Sequence, residues 1–194
     1  SITEAKAADA PHADTWWESG SREPVTLVLE KMGIADWATP RDKYDFKSYN
    51  NPQSVLRGLL AESYDISPDG LTFTFHIRKG VYWHDKPPMN GRELVADDIV
   101  FSFHRMTGTG SGFTEPSLYA TVISNLPIES IEATDKYTVV FKLTKVHLAA
   151  FWDIYSSSNF GFIYPPEVIQ EHGHAQDWRN LVGTGPYELT DWVK

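Results

Sequence analysis

The chain has 194 residues, with a hydrophobic share of 41%, a charged share of 22% and a formal net charge of −9. This length supports one sizeable core or two small ones, and the composition is that of a folded protein rather than a disordered one. The acidic balance argues against a nucleic-acid partner, no apolar run approaches the roughly 20 residues of a membrane-spanning helix, and the lack of cysteine removes disulfides and thiol chemistry.

The first quarter of the chain carries the weakest structural signals. Residues 1–24 are polar and proline-punctuated apart from Trp16 and Trp17, which predicts a loosely ordered start without a secretion signal. The pattern over Val25–Met32 is compatible with a helix or a strand. The prolines, asparagines and lysines of Ala38–Pro52 predict a loop.

A half-buried strand is predicted over Leu71–Ile77, because apolar and polar residues alternate there. The turn residues Ser67–Gly70 lead into it, since proline presets φ and glycine accepts a positive φ. Beyond Gly80, the residues Val81–Trp83 predict a second short strand.

A helix is predicted over Val95–Met106, because its apolar residues recur at helical spacing: Ala96, Ile99, Val100, Phe103 and Met106. Asp97 and Asp98 lie in its first turn, where carboxylates oppose the positive end of the helix dipole. The glycine-rich segment Thr107–Gly112 predicts the loop that ends it.

The remaining predicted elements are a hairpin, two short helices and a final strand, in that order. Alternation over Ile128–Ala133 and Thr138–Leu143 predicts a hairpin with a four-residue loop. Helical spacing predicts helices over His147–Tyr155 and Pro166–His172, and a strand is predicted over Tyr187–Trp192. Hairpins without regular strand–helix alternation indicate an α+β fold.

Three segments resemble a known family: LAESYDISPDGLTFTFHIRKGVYWHD at Leu60–Asp85, NGRELVADDIVFSFHRM at Asn90–Met106, and GTGPYELTDWV at Gly183–Val193. In order and spacing they are similar to the family 5 extracellular solute-binding proteins, the peptide- or nickel-type receptors of ABC transporters. Val95 departs from the pattern, because the family usually has a capping threonine there. We therefore expect a frayed helix start, weaker by about 0.5 to 2 kcal/mol.

The resemblance implies a periplasmic-binding-protein-like type II fold, of which this chain holds part of the first lobe. It implies a start and lobe edge over residues 1–54, a lobe I subdomain over 55–182, and a strand returning to the lobe's main sheet over 183–194. Family members have a second lobe that closes over the ligand, and the acidic residue that typically holds a peptide's amino terminus lies there.

The function implied is that of the substrate-binding component of an ABC importer for peptides or another small molecule. Such a component works without a chemical step or a cofactor, in partnership with a membrane permease. The expected location is periplasmic or extracellular, with a lipid anchor as an option for a longer protein. The alternative is a free-standing interaction module that forms homo-oligomers through the surface normally covered by the missing lobe.

Phe113 and Tyr119 are the candidate ligand-binding residues, because the loop Gly112–Tyr119 resembles a family segment that can reach the cleft. Aromatic side chains are compatible with peptide pockets, although most of them pack in cores. The element Gly183–Pro186 resembles the family's turn near the lobe junction. Glycine allows close backbone approach there, so we expect a structural role.

Metal binding and catalysis find little support in the sequence. His172 and His174 are two residues apart and His84 adjoins Asp85, but a metal site needs three or four convergent ligands, so we expect surface histidines. No hydrolase, zinc-protease or phosphate-loop motif occurs. The acidic residues Glu93, Asp97 and Asp98 could be imagined as paired acids, but the start of a helix accounts for the two aspartates.

Overall fold

The computed structural model describes residue 14 and residues 22–47, 51–156 and 160–191, with the backbone alone for 22–24. Trp16 and Trp17 lie outside the described residues. The helices are α1 (Arg22–Val28), α2 (Ala96–Thr107), α3 (Thr121–Ser124), α4 (Ala150–Tyr155) and α5 (Pro166–His172), with 3-10 turns at Gln53–Val55 and Trp178–Asn180. The strands are β1 (Gly33–Ala35), β2 (Leu56–Gly58), β3 (Ala61–Ile66), β4 (Thr72–Ile77), β5 (Ile128–Asp135) and β6 (Thr138–Leu143).

The main sheet is antiparallel and has the strand order β3-β4-β6-β5. The predicted strand at Leu71–Ile77 is confirmed as β4, which lies in the interior of the sheet. Within it Phe75 faces Tyr64 on one side and Val139 on the other. The small strands β1 and β2 pair separately, also antiparallel.

One face of the main sheet is buried because the alternation predicted from the sequence is kept in register across strands. Phe73, Phe75 and Ile77 of β4 are buried, and Phe141 of β6 lies directly opposite Phe73. The intervening residues, Thr74 and His76, face the other way and are only partly covered. α2 packs on the buried face against β5 and β6, with the Phe103 ring 4.9 Å from the Phe141 ring.

The helix predicted at Val95–Met106 is confirmed as α2, which Gly108 ends in the left-handed conformation at φ 69°. Val95 sits at the capping position without a side-chain acceptor, as expected. The expected fraying is offset, however, because the Val95 N–H donates to Asp98 Oδ2 over 3.0 Å. The Asp98 carboxylate therefore supplies one of the two hydrogen bonds of a capping box, and the one that a threonine side chain would accept is missing.

Two of the predicted β-sheet features, a hairpin loop and a short strand, differ in the structure. The β5–β6 loop contains two residues, Lys136 and Tyr137, instead of four, because β5 continues to Asp135, two residues beyond its predicted end, and a register shift between Ala133 and Asp135 absorbs the extra length. The predicted strand at Val81–Trp83 is reduced to a single bridge between Tyr82 and Glu93.

The strand predicted near the carboxyl terminus, over Tyr187–Trp192, is absent from residues 187–191. Residues 187–191 adopt no strand, because no described strand runs beside them to supply a backbone ladder. Trp192 lies outside the described residues.

The shorter helices carry the remaining differences. The ambiguous segment Val25–Met32 is helical as far as Val28, and α3 has no counterpart in the predictions. α4 begins at Ala150 and so covers two thirds of the helix predicted at His147–Tyr155, whereas Pro166–His172 is confirmed as α5. The Tyr155 ring of α4 stacks on Phe75 at 5.9 Å, which places α4 on the same core as the sheet.

Candidate functional site

The loop after α2 carries the two aromatic residues predicted to bind ligand, and the structure gives them different surroundings. Phe113 is half buried, with its ring 5.2 Å from the Phe101 ring of α2 in an edge-to-face contact. Tyr119 is 43% exposed, two residues before α3. Phe113 thus packs on the helix, and Tyr119 is the one whose ring surface is more open to a ligand.

Buried Ser117 fixes the backbone beneath Tyr119. Its N–H donates to the Met106 carbonyl over 3.0 Å, and its Oγ accepts from the N–H groups of Tyr119 at 3.3 Å and Ala120 at 3.1 Å. Ser117 therefore ties the loop to the last turn of α2. This attachment holds the start of α3, and with it Tyr119, in a defined position.

His104 holds the glycine-rich part of the same loop. Burial lowers its pKa, against the opposing effect of a hydrogen bond with the Ile131 backbone. The neutral ring can therefore accept at Nδ1, which lies 2.9 Å from Ser111 Oγ. Ser111 has a φ of 47° between Gly110 and Gly112, both of positive φ, so this contact fixes a backbone conformation that a serine rarely adopts.

The glycines of the predicted junction turn pack directly on the end of α1. A Cβ built on Gly183 would overlap the Val28 carbonyl oxygen, and one on Gly185 would come within 2.7 Å of it. The Gly185 N–H instead donates to that same oxygen over 2.8 Å. The close approach explains why glycine is needed at both positions and favours the structural role expected of this element.

His84 joins the strand region to the same turn through both ring nitrogens. Nδ1 accepts from the Gly183 N–H over 3.3 Å, and Nε2 lies 2.7 Å from the Gly185 carbonyl. An acceptor at Nδ1 and a donor at Nε2 correspond to the neutral tautomer with its proton on Nε2. This histidine works as a backbone clamp, with its ring nitrogens occupied by the protein.

Two of the acidic residues near the start of α2, Glu93 and Asp98, are held by hydrogen bonds and ion pairs within the protein. Arg92 donates to both carboxylate oxygens of Asp98, over 2.9 and 2.7 Å, and also pairs with Glu167 of α5. Glu93 accepts from Lys136, Gly80 and Tyr137, and these hydrogen bonds lower its pKa to about 2. The carboxylates of Asp98 and Glu93 thus bind separate partners rather than forming an acid pair.

The histidines considered for metal binding are dispersed. His172 lies 3.8 Å from the neighbouring Glu171, and His174 Nδ1 accepts from the Gln176 N–H over 3.3 Å. Within residues 22–47, 51–156 and 160–191, together with residue 14, no three His, Asp or Glu side chains are grouped as metal ligands would be. The described helices are also too short or too polar to cross a bilayer.

Sequence reasoning missed an aromatic cluster on the loop between β1 and β2. The Trp37 and Phe46 rings stack with centroids 4.7 Å apart, and Tyr44 meets Phe46 edge to face at 4.9 Å. Arg41 lies over both stacked rings, its guanidinium carbon 5.5 Å from the Trp37 centroid and 4.4 Å from that of Phe46. The only signal in the sequence was three aromatic residues and an arginine within ten positions of a segment classed simply as a loop.

Comparison with known proteins points to one family. Residues 55–194 match the model described as "Bacterial extracellular solute-binding proteins, family 5 Middle". The chain is 33% identical over 150 residues to the dipeptide-binding protein of Escherichia coli K12, covering 70% of this chain and 27% of that one. It is 36% identical over 153 residues to di/tripeptide-binding protein 1 of Pseudomonas aeruginosa UCBPP-PA14, covering 72% and 27%.

A solved structure shows the same architecture. The ABC transporter-associated periplasmic binding protein DppA from Helicobacter pylori, in complex with the peptide STSA, superposes with a TM-score of 0.71 at 26% identity, over 97% of this chain and 36% of that one. The fold is therefore that of a periplasmic binding protein, of which this chain spans about a third. The sequence match and the shared fold lead to one conclusion: the chain belongs to the family 5 bacterial extracellular solute-binding proteins.

Proposed function

We propose that the chain forms part of the solute-recognition subunit of an ABC importer and that its ligands are short peptides. The observation that carries this proposal is the family match over residues 55–194, joined to relatives whose names describe dipeptide and tripeptide binding. Recognition is by non-covalent capture, with no chemical step. The paired state of Asp98 and Glu93 supports this, because neither carboxylate is left as a general acid or base.

Within this function, Phe113 and Tyr119 contact the ligand, and Tyr119 offers the more exposed side chain of the two. An exposed tyrosine beside a buried, anchored backbone is suited to ligand contact, since little conformational freedom is lost on binding. The division into a lobe edge at residues 1–54, a lobe I subdomain at 55–182 and a returning segment at 183–194 belongs to the same proposal.

The full binding cleft is expected to require a second lobe that closes over the ligand. The chain spans 27% of the length of the curated relatives named above. We therefore expect this chain alone to bind peptides more weakly than micromolar. Its place in transport would be periplasmic or extracellular, where a membrane permease receives the solute.

Titration of the isotopically labelled chain with a short peptide, followed by two-dimensional NMR, tests the proposal. We expect fast-exchange shifts at the Tyr119 amide and its neighbours, with a millimolar dissociation constant. Tyr119→Ala should weaken binding, whereas Tyr187→Ala, at a tyrosine of similar exposure outside this loop, should leave it unchanged. Micromolar affinity, or shifts that avoid the loop, would contradict the proposal.

The alternative, self-association through an otherwise covered surface, makes a different prediction. It would use exposed apolar side chains such as Leu118 and Leu148, which are 82% and 89% exposed. Sedimentation velocity distinguishes the two, because self-association requires a sedimentation coefficient that rises with protein concentration. A constant monomer value rejects the alternative.

A further inference from the structure

We propose that Arg41, held on the rings of Trp37 and Phe46, binds the carboxylate of a peptide ligand. The inference rests on the proposed function and adds to it a second contact point, separate from Phe113 and Tyr119. Its ligand class is an anion with one carboxylate next to an apolar group. The carboxylate would bind the guanidinium, and the apolar group would cover the exposed face of Trp37.

The first support is the geometry of the arginine itself. Its guanidinium carbon lies 4.4 Å from the Phe46 centroid and 5.5 Å from the Trp37 centroid, which restrains the otherwise flexible side chain. These ring contacts use none of the N–H donors as hydrogen bonds, so the guanidinium can still match a carboxylate with two parallel hydrogen bonds. The side chain is therefore organised for an anion before the anion arrives.

The second support is that Arg41 differs from the other arginines whose side chains the structure describes. Each of those has an oxygen partner in the protein: Asp36 for Arg57, the Leu59 carbonyl for Arg78, Asp98 for Arg92, Asp14 for Arg105 and Asp177 for Arg179. Arg41 makes only its two ring contacts within the described part of the chain. Its donors are thus available to an external acceptor.

The third support is that the loop is built to present this group. Phe46 adopts a φ of 56°, a left-handed value that is unfavourable for a bulky residue and that places its ring in the stack. Backbone bonds order the turn beneath it, with the Thr39 N–H donating to the Asp36 carbonyl and the Tyr44 N–H to the Pro40 carbonyl. Trp37 nevertheless keeps 56% of its surface exposed.

The position of the loop is compatible with a role beside Tyr119. β1, which leads into it, packs through Gly33 on the Tyr155 ring of α4. α3, which follows Tyr119, packs on the same helix. Both loops therefore leave elements that share α4 as their support.

The charges around Arg41 favour a carboxylate over a phosphate. Asp42 follows it directly and is exposed, and Asp45 is nearby in sequence and partly neutralised by Lys47. A doubly charged phosphate would be repelled by these carboxylates more strongly than a singly charged carboxylate. Recognition by one guanidinium and one ring face suits a peptide carboxyl terminus.

The test compares the acetylated tripeptide acetyl-Ala-Ala-Phe as a free acid and as its carboxy-terminal amide, titrated into the labelled chain. The readouts are the Trp37 indole N–H and the Tyr119 amide in two-dimensional NMR spectra. We expect the free acid to move the Trp37 signal and to bind on the order of tenfold more tightly there than the amide. Arg41→Gln should remove this difference. Arg41→Lys should retain only part of it, because an ammonium group lacks the two parallel N–H donors of the guanidinium.

Arg179 provides the matched control, because it also lies over a tryptophan, with its guanidinium carbon 4.9 Å from the Trp178 ring, but already pairs with Asp177. Arg179→Gln should leave the difference between acid and amide intact. Equal response to acid and amide, or a Trp37 signal that stays still while the Tyr119 amide moves, overturns the role of Arg41 and leaves the proposed function standing. If neither signal moves, both fail; if only Trp37 moves, Arg41 stands and the ligand role of Tyr119 fails.

Discussion

At the scale of single residues, the turn at Gly183 and Gly185 shows how backbone contact replaces side-chain packing. The Gly185 N–H donates to the Val28 carbonyl, and the ring of His84 holds the N–H of one glycine and the carbonyl of the other. The two His84 contacts join residues 99 and 101 positions apart in sequence, and the bond to Val28 spans a still longer separation. The turn therefore depends on the absence of a Cβ and on the neutral form of one histidine.

Gly183→Ala should destabilise the chain by about 3 kcal/mol, because the new methyl group would overlap backbone atoms of Val28 that no rotamer change can move. Urea unfolding monitored by circular dichroism measures the change. Gly173→Ala is the comparison, since that glycine has open space around its Cβ position and a φ of 76°. Its cost should be limited to left-handed strain, about 1 kcal/mol. Equal losses for the two variants would argue against steric overlap at Gly183.

At the scale of elements, a polar network joins α2 to α5 and to the segment before α2. Arg92 binds Asp98 of the first helix and Glu167 of the second, and the Trp83 indole N–H donates to Asp98 Oδ2 over 3.3 Å. Asp98 is buried, so these partners supply the hydrogen bonds that water cannot reach it to make. The network fixes how the two helices approach each other.

Arg92→Ala should therefore cost about 3 kcal/mol of unfolding free energy, because it leaves the Asp98 carboxylate buried without its cation. Combining Arg92→Met with Asp98→Asn should cost less than Arg92→Ala, since the buried position 98 then carries no charge and the remaining carboxylate, Glu167, is partly exposed. Chemical denaturation of the three proteins gives the comparison. A double variant as unstable as the single one would mean that packing, rather than charge, explains the loss.

The hairpin loop of β5 and β6 is tied to the segment before α2 by a titratable contact. Hydrogen bonds from Lys136, Gly80 and Tyr137 lower the pKa of Glu93 from 4.5 to about 2. Because the folded pKa lies below the ordinary value, this stabilisation is complete above pH 4.5 and is lost as the pH falls from there towards 2.

Thermal unfolding between pH 7 and pH 2 checks this linkage. Glu93→Gln should lower the melting temperature at neutral pH and flatten its decline below pH 4.5, because the variant has no carboxylate to protonate. Glu129→Gln, at an exposed carboxylate on β5, serves as the control and should keep the shape of the wild-type profile. A decline in Glu93→Gln as steep as in the wild type would assign the acid sensitivity to other groups.

At the scale of the whole molecule, the parts that the sequence could predict are those whose signal is periodic. Alternation located β4 and β6, and helical spacing located α2, because one buried face imposes these patterns residue by residue. The two-residue hairpin loop and the reduced bridge at Tyr82 were missed, since a register shift or a single long-range bridge leaves no periodic trace.

The candidate site was predictable only in part for a related physical reason. The resemblance to the family directed attention to Phe113 and Tyr119, but which of the two is exposed depends on how Ser117 ties the loop to Met106. The stack of Arg41 on Trp37 and Phe46 depends on a left-handed backbone at Phe46, which local propensity disfavours. Such a contact becomes visible only when the tertiary positions are known.

The bond between Gly185 and Val28 also brings the two ends of residues 28–185 next to each other in space. A segment whose two ends lie close together tolerates insertion into another protein or circular permutation, because a short linker is enough to join the ends. Residues 28–185 could thus be exchanged as one segment between related proteins, and the loops within it would be exchanged together.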